Sequence, residues 1–312
     1  MIQKVFYFPQ TFPIFQEAYD FFVNTKKQTA TQHLFTNKQL RTLLVPIMVE
    51  QLLSSLMGTA DTMMVSNVGS AAISAVSLVD AINILVIQAL SALAAGGAIL
   101  CSQYLGSQNL KKAKRSAEQV LFVMLVLSCS LSLLCLIFRF PLLRLIFGTV
   151  DTDVMANSQI YFFFTLLSFP FIGLYDAGAS ILRAQNNTKG PMTISILSNF
   201  LNIGGNAILI FVFGMGVAGA AISTLVSRIF CAIVVIWQLR NPAEQIYVRN
   251  YFSIRPDWSL IKRVLFIGIP SGIENSMFQF GKLAIQSTVS TLGNDWKVPA
   301  VLHRSAVHFL YR

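Results

Sequence analysis

Hydrophobic residues form long, nearly uninterrupted runs along this chain. A helix needs about 20 mostly apolar residues to cross the hydrocarbon core of a bilayer, and seven runs reach that length. The second and last runs exceed one bilayer thickness, so tilt or an extramembrane turn is expected at their ends. The pattern predicts an all-α, polytopic membrane helix bundle. The predicted spans are residues 42–65, 73–102, 118–138, 159–182, 191–213, 216–238 and 260–292.

Composition and charge placement agree with a membrane protein. Of 312 residues, 54% are hydrophobic and 12% are charged, whereas soluble domains carry about 25% charged residues. The net charge of +10 comes from basic residues in the N-terminal segment and the even-numbered connections, while the alternate connections carry only Arg139 and Arg144. Basic residues near span ends stay in the cytoplasm, which predicts a cell (inner or plasma) membrane protein with a cytoplasmic N-terminus. Dispersal over four loops argues against nucleic acid as a partner. The basic residues on the predicted cytoplasmic side are Lys4, Lys26, Lys27, Lys38, Arg41, Lys111, Lys112, Lys114, Arg115, Arg183, Lys189, Arg240, Arg249, Arg255, Lys262 and Arg263.

Several motifs that could indicate enzyme or metal chemistry are better explained by packing. The four cysteines lie in apolar stretches without CxxC spacing or a nearby histidine, so no metal site is predicted. The glycine-rich stretches at 94–98 and 214–221 lack the features of phosphate-binding loops and indicate close helix packing. No catalytic Ser/His/Asp or Cys/His set lies in the spans. The sequence predicts neither an enzyme nor a cofactor.

An internal repeat defines the domain organisation. Pro46 and Glu50 in the first span correspond to Pro270 and Glu274 in the seventh, at the same spacing. Two repeated halves are a common plan for secondary transporters, so we expect one complete six-helix lobe plus the first helix of a second lobe. The last stretch breaks the apolar pattern, and we expect a truncated or frame-disrupted protein. The segments are 1–40 (cytoplasmic), 41–240 (first lobe), 241–259 (cytoplasmic loop), 260–292 (seventh helix) and 293–312 (aberrant polar tail).

Ionisable residues inside the spans are candidates for function, because an unpaired charge in hydrocarbon is costly. Asp61 lies near the outer end of the first span, with Gly58 one turn earlier to allow close approach by a helix or ion. Glu50 lies eleven residues before Asp61, which returns it to within about 20° of the same helix face. This arrangement favours a cation site or proton carrier, with an interfacial group at the helix end as the alternative for Asp61. The other ionisable residues, to which we assign counter-charge, snorkelling or minor roles except for Glu274, are Asp80, Asp176, Arg228, Glu274 and Lys282.

Amide side chains form a second candidate group. Asn199, Asn202 and Asn206 are spaced three and four residues apart, so they form one stripe on the fifth span, beside Gly204 and Gly205. Amides in hydrocarbon either hydrogen-bond across helices or coordinate a cation or ligand, and both readings stand. A further amide, Gln88 on the second span, could reach the same cavity or form an interhelical hydrogen bond.

Six segments of the chain together resemble a known family, the multidrug and toxic compound extrusion (MATE) transporters. The resemblance implies a secondary antiporter, usually of twelve helices in two six-helix lobes. Taken singly these segments are weak, but they occur in the family's order between about residue 40 and residue 292. The segments are PIMVEQLLSSLMGTADTMMVSNVG (46–69), CSQYLGSQN (101–109), ILRAQNNTKGP (181–191), NFLNIGGNAILIF (199–211), GVAGAAISTLVSR (216–228) and GIPSGIEN (268–275).

The same resemblance implies roles for particular residues. Asp61 is similar to the first-helix aspartate that the family uses in ion or proton coupling. Asn202 resembles a fifth-helix asparagine of the cation site, and Asn206 stands where some members have an aspartate, which removes one charge. Glu274 is similar to a seventh-helix glutamate that acts with carboxylates of the second lobe in some branches.

The function predicted from these features is efflux of organic cations or amphipathic drugs in exchange for sodium ions or protons. Asp61, Asn202, Asn206 and Glu274 would serve ion coupling, and the substrate cavity would include Glu50, Asn199 and Gln88. The expected partners are the drug, the lipid bilayer and the missing second lobe. The alternatives are a flippase of lipid-linked precursors or polysaccharides, and a remnant that does not transport.

Overall fold

A computed structural model describes residues 37–148, 150–242, 244–248 and 256–292 of the chain. The predicted tail 293–312 and most of the N-terminal segment lie outside these ranges. The chain divides into two compact units, Met1–Val45 and Pro46–Arg312. Of the first unit, only the beginning of one helix is described, so the following account concerns the second unit.

The described residues are almost entirely helical, as the apolar pattern predicts. A short π-helical segment, Ala207–Val212, directly continues the sixth helix. The α-helices are α1 (Asn37–Ser66), α2 (Ser70–Gly106), α3 (Leu110–Ile137), α4 (Arg139–Phe147), α5 (Thr152–Ala184), α6 (Lys189–Asn206), α7 (Gly216–Leu239) and α8 (Trp258–Leu292).

Six helical stretches in the described ranges are long and apolar enough to cross a membrane, and they coincide with the first six predicted spans. That part of the prediction is confirmed. The seventh predicted window, 260–292, falls in α8, which is a continuous helix but is not among these six. Polar residues such as Glu274 and Gln279 interrupt its apolar run. The six stretches are Arg41–Ser66, Ser70–Gly106, Leu110–Ile137, Thr152–Ala184, Lys189–Val212 and Gly216–Leu239.

Helix ends extend beyond several of the predicted spans. Hydropathy locates the part of a helix that lies in hydrocarbon, and the helix continues where its residues become polar. Thus α3 begins at Leu110, eight residues before the predicted span at 118. The side chain of Asn109 caps it by accepting a hydrogen bond from the backbone N–H of Lys112 at 3.1 Å. The short helix α4 was not predicted, because nine residues are too few to form a span.

The two long helices α2 and α5 lie at the centre of the bundle. Helix α2 packs against α5 and α8, and α5 also packs against α7 and α3. The interior of α5 carries Phe162, Leu166 and Phe169, all fully buried. Large apolar side chains on the outside of the bundle are exposed, including Phe200 at 75% and Trp237 at 75%. Exposed apolar surface of this extent is typical of a bundle whose solvent is lipid.

Glycines allow a close crossing of α2 and α8. A Cβ added to Gly96 would lie 2.7 Å from the Cα of Gly268, and a Cβ on Gly268 would lie 2.9 Å from the Cα of Leu93. The interpretation of the 94–98 stretch as a packing element is therefore confirmed. Among the described residues no helix approaches Gly58 closely, since a Cβ there would meet nothing within 4 Å, so the expected close approach of a helix is not found.

Candidate functional site

The candidate site begins with Asp61 on α1, a helix whose other side chains are mostly exposed. Leu52, Leu56 and Met63 are 62–66% exposed, whereas Asp61 is 7% exposed. Its carboxylate accepts a hydrogen bond from the side-chain nitrogen of Asn206 on α6. Asp61 is therefore a buried polar group on a helix whose other side chains are mostly exposed.

The amide stripe on α6 divides into two parts. Asn206 also donates to the Oδ1 atom of Asn202 at 3.4 Å, and Asn202 donates to the Oγ1 atom of Thr224 on α7 at 3.3 Å. Asn202 and Asn206 are both 0% exposed. In contrast, Asn199 donates to the backbone carbonyl of Ser195 in its own helix at 2.8 Å. Two of the three predicted asparagines therefore join Asp61.

Helices α6 and α7 pack closely against each other at this point. Ser223 of α7 donates its hydroxyl to the backbone carbonyl of Asn202 at 2.8 Å. A Cβ on Gly205 would lie 2.5 Å from the Ser223 hydroxyl oxygen, so a larger residue there would displace the Ser223 side chain. The π-helical segment begins directly after Asn206, and π-helical turns are common at functional sites.

A second acid, Asp80 on α2, belongs to the same region. Its Oδ1 atom accepts hydrogen bonds from the Tyr161 hydroxyl at 3.2 Å and from the side-chain nitrogen of Asn83 at 3.3 Å. Asp61 interacts electrostatically with both Asp80 and Arg228. Sequence reasoning assigned Asp80 a minor role and missed Tyr161, because an aromatic residue in an apolar helix carries no sequence signal of a polar contact.

Arg228 is the partly buried cation of this cluster. Its Nη1 atom donates to the hydroxyl of Ser168 on α5 at 2.6 Å. It also interacts electrostatically with Asp61, Asp80 and Asp176. This agrees with the prediction that Arg228 acts as a counter-charge.

Glu50 forms a separate cluster. Its partner there is Arg183, which the apolar pattern placed in a connection between two spans. The Glu50 carboxylate accepts from Arg183 Nη2 at 2.6 Å and from the Tyr175 hydroxyl at 3.0 Å. The Tyr175 hydroxyl also lies 3.0 Å from that of Ser195. Glu50 is 7% exposed and the Arg183 side chain is 31% exposed, so this is a partly buried ion pair between α1 and α5.

The remaining predicted residues are not brought to Asp61 in the part of the chain that the structure describes. Gln88 is partly buried on α2, and the Glu274 side chain is exposed on α8. An open apolar groove of about 490 Å³ between α2 and α8 is lined by residues such as Leu85, Leu93 and Ile273, with no candidate residue among them. The predicted cavity of Glu50, Asn199 and Gln88 therefore stays a prediction.

The spanning helices and the interior acid and amide cluster define a multi-pass helical membrane protein. A family model described as MatE matches residues 46–208. The chain belongs to the MatE family, and the resemblance inferred from its motifs is confirmed.

Relatives and solved structures agree with this membership. The chain is 29% identical over 254 residues to the uncharacterized transporter YisQ of Bacillus subtilis (strain 168), covering 80% of this chain and 55% of that protein. It is 28% identical over 270 residues to the probable multidrug resistance protein NorM of Thermotoga maritima, covering 83% and 56%. The fold matches a multidrug resistance MATE family transporter in its inward-facing conformation with a TM-score of 0.71, 23% identity, and coverage of 80% and 57%. The chain thus spans about half the length of the curated relatives it matches.

Proposed function

We propose that this chain forms the first lobe of a secondary active antiporter that exports organic cations or amphipathic drugs in exchange for sodium ions or protons. The observation that carries the proposal is the burial of Asp61 against Asn206 and Asn202, in a hydrogen-bond network that joins α1, α6 and α7. The cell membrane is the expected location, with the N-terminus and the basic connections in the cytoplasm.

The chemistry of Asp61 suits alternate binding of two cations. A carboxylate held among amides at membrane depth attracts either a coupling cation or a cationic drug, and neutralisation by one ligand weakens the hold on the other. Asn206 and Asn202 keep the carboxylate oriented, and Thr224 extends the network to α7. The cation and the drug are then released on opposite sides of the membrane, when the lobe changes the side to which the site is open.

The relatives support drugs as the substrate class. The Thermotoga protein is described as a probable multidrug resistance protein, and the structural match is a multidrug resistance transporter. By extension, we assign this chain to efflux of similar compounds, with Glu50, Asn199 and Gln88 as candidate residues of the substrate cavity and Glu274 as a coupling residue on α8.

The test is dye efflux from cells that lack their own efflux pumps. The cells express either this chain alone or the same gene extended downstream, each with Asp61 or with Asp61→Asn. Asparagine keeps the shape and can still accept from Asn206, so we expect normal membrane insertion but efflux reduced at least about tenfold, equivalent to roughly 1.4 kcal/mol of lost binding. Asp153→Asn, at an exposed acid in the first turn of α5, is the matched control. Unchanged, ion-dependent efflux in Asp61→Asn would refute the proposal.

Two other functions remain as alternatives. The first alternative is a flippase of lipid-linked precursors or polysaccharides, for which more cationic residues would be expected around the cavity than Arg228, the one mid-span arginine of the predicted spans. The second alternative is a remnant that does not transport. Efflux only from the extended gene identifies the remnant. Restored precursor export in flippase-deficient cells, lost in Arg228→Gln, identifies the flippase.

A further inference from the structure

A cluster of two cations and a tyrosine lies where the end of α2 meets the starts of α3 and α8. The Arg263 guanidinium donates through its Nη1 atom to the Tyr104 hydroxyl at 3.0 Å. The Lys112 ammonium lies over the Tyr104 ring, 6.0 Å from its centroid, at the outer limit of a cation–π contact. Tyr104 is partly buried, whereas Lys112 and Arg263 are exposed. One tyrosine of α2 therefore contacts cations from two other helices.

The positive charge of this cluster is not neutralised by an ion pair. Two acids near the starts of α3 and α8 interact with a different cation, since Asp257 pairs with Arg115 at 3.2 Å and Glu118 interacts electrostatically with the same arginine. Within the ranges that the structure describes, no ion pair includes Lys112 or Arg263. Two cations brought together without an acid form a site that attracts an anion.

The donor groups of the cluster suit a phosphate. The guanidinium of Arg263 presents several N–H groups in a planar fork, and Lys112 adds an ammonium. The Tyr104 oxygen accepts from Arg263, so the hydroxyl hydrogen can be donated to a ligand. The three side chains thus offer hydrogen bonds and positive charge to the same anion.

An exposed apolar stripe on α8 begins directly beside Arg263. Phe266, Ile269, Ile273 and Met277 are spaced three and four residues apart and are exposed, so they lie on one face of the helix. The rise of an α-helix gives about 21 Å between Arg263 and Met277, whereas half of the hydrocarbon core is about 15 Å thick. The stripe is long enough to extend from a lipid headgroup to the middle of the bilayer.

The same stripe forms one wall of the open groove between α2 and α8. Ile269, Ile273 and Met277 line it from α8, and residues such as Leu85 and Leu93 line it from α2. Its volume is about 490 Å³ and its lining is almost entirely apolar. An apolar groove that leads away from a phosphate-binding cluster has the chemistry of one half of a lipid, and the cluster has that of the other half.

We propose that Tyr104, Lys112 and Arg263 bind the phosphate of an anionic phospholipid whose acyl chain lies in the groove between α2 and α8. Basic sites between spanning helices on the cytoplasmic side bind anionic headgroups, and the cluster faces the cytoplasm in the proposed orientation. This lipid site goes beyond the proposed function, because it involves neither the coupling cation nor the drug. Only the choice of leaflet depends on the orientation.

The experiment measures lipid binding to the purified chain in an uncharged detergent. Phosphatidylglycerol is added at increasing mole fraction, phosphatidylcholine with the same acyl chains serves as the reference, and the melting temperature is followed. A ligand that binds only the folded state raises the melting temperature with concentration, which yields an apparent affinity. We expect a larger rise with phosphatidylglycerol. Arg263→Gln and Lys112→Gln should each weaken its affinity about fivefold, the factor that corresponds to one basic residue near an anionic lipid surface.

A matched control separates a built site from general attraction. Lys189 is an exposed lysine at the start of α6, in a connection on the same proposed side of the membrane. Lys189→Gln removes the same charge and should leave the affinity for phosphatidylglycerol unchanged. Equal losses in Lys189→Gln and Arg263→Gln would overturn the site, because any basic residue would then serve. If Arg263→Gln does not purify, Lys112→Gln on a different helix carries the same test.

A second variant tests the groove. A Cβ on Gly272 would lie 3.7 Å from the backbone oxygen of Ala89, which is an ordinary contact, so Gly272→Leu fills the groove without displacing the α2 backbone. It should weaken the binding of phosphatidylglycerol. Soluble glycerol phosphate carries the headgroup charge without acyl chains and should bind far more weakly than the lipid in the unmodified chain. Equal stabilisation by glycerol phosphate would mean a site for free phosphate and would overturn the lipid.

The remaining occupant of the groove is the second lobe. The titration is therefore repeated with the product of the gene extended downstream, where we expect the preference for phosphatidylglycerol to persist. Loss of the preference in the extended protein would show that other helices cover the groove, and the lipid site would be abandoned. None of these measurements uses efflux or Asp61, so failure of the lipid site leaves the proposed function standing.

Discussion

Arg183 Nη2 donates to the Glu50 carboxylate at 2.6 Å, and this contact joins α1 to the end of α5 across 133 positions of sequence. The Glu50 side chain is 10% exposed and that of Arg183 is 31% exposed. The pair therefore lies between a surface ion pair and a fully buried one. Because most apolar side chains of α1 are exposed, polar contacts such as this one and Asp61–Asn206 are prominent among the links between α1 and the rest of the bundle.

Removing Glu50 should destabilise the bundle. Glu50→Gln leaves Arg183 without its ionic partner, and we expect a loss of about 1–3 kcal/mol in the free energy of unfolding. This lies between the values for exposed pairs and for buried pairs that lose one partner. The measurement is denaturant unfolding of the purified chain in mixed micelles.

The second ion pair of the described residues is the control for this prediction. Arg115 and Asp257 lie 3.2 Å apart, but the Arg115 side chain is 58% exposed. Arg115→Gln should change the free energy of unfolding by less than about 1 kcal/mol. Equal effects of Glu50→Gln and Arg115→Gln would contradict the structural role of the Glu50 pair.

The spans could be predicted from the sequence because of one rule: a segment that crosses hydrocarbon forms a helix with mostly apolar side chains. The same rule singled out Asp61, since an acid inside a span stands out against apolar neighbours. Contacts between distant side chains followed no such rule. Arg183 was grouped with the basic residues of the connections, although it pairs with Glu50. The hydrogen bond from Tyr161 to Asp80 could not be predicted from the apolar pattern. Periodicity grouped Asn199 with Asn206, but hydrogen bonding separates them.

The crossing of α2 and α8 should not tolerate a side chain at Gly96. Gly96→Val places atoms where the Gly268 backbone lies, because even a Cβ would be 2.7 Å from its Cα. We expect a loss of about 1–3 kcal/mol from overpacking, seen as lower melting temperature and lower yield in the membrane. Gly204→Ala is the control, as its Cβ would meet nothing within 4 Å. There the greater helix propensity of alanine predicts an unchanged or slightly raised stability. A tolerated Gly96→Val would contradict the close crossing.

The proposed orientation predicts which connections a membrane-impermeant thiol reagent can reach. In a chain whose four native cysteines are replaced by alanine, Lys112→Cys lies at the exposed start of α3 and Thr152→Cys at the exposed start of α5. With basic connections in the cytoplasm, intact cells should label Thr152→Cys and leave Lys112→Cys unlabelled until they are permeabilised. The reverse pattern would invert the topology.

Replacing Asn206 should separate the function of the amide stripe from its packing. Asn206→Leu removes the donor to Asp61, while Asn199→Leu removes only a bond to the backbone of its own helix. An unpartnered interior carboxylate is poorly tolerated, so in Asn206→Leu we expect Asp61 to lose its fixed orientation and ion-dependent efflux to fall at least about tenfold, equal to roughly 1.4 kcal/mol. Efflux in the extended gene is the measurement, with Asn199→Leu expected near the unmodified rate. Similar losses in both variants would mean that the stripe acts only in packing, and the coupling role of Asn206 would then be abandoned.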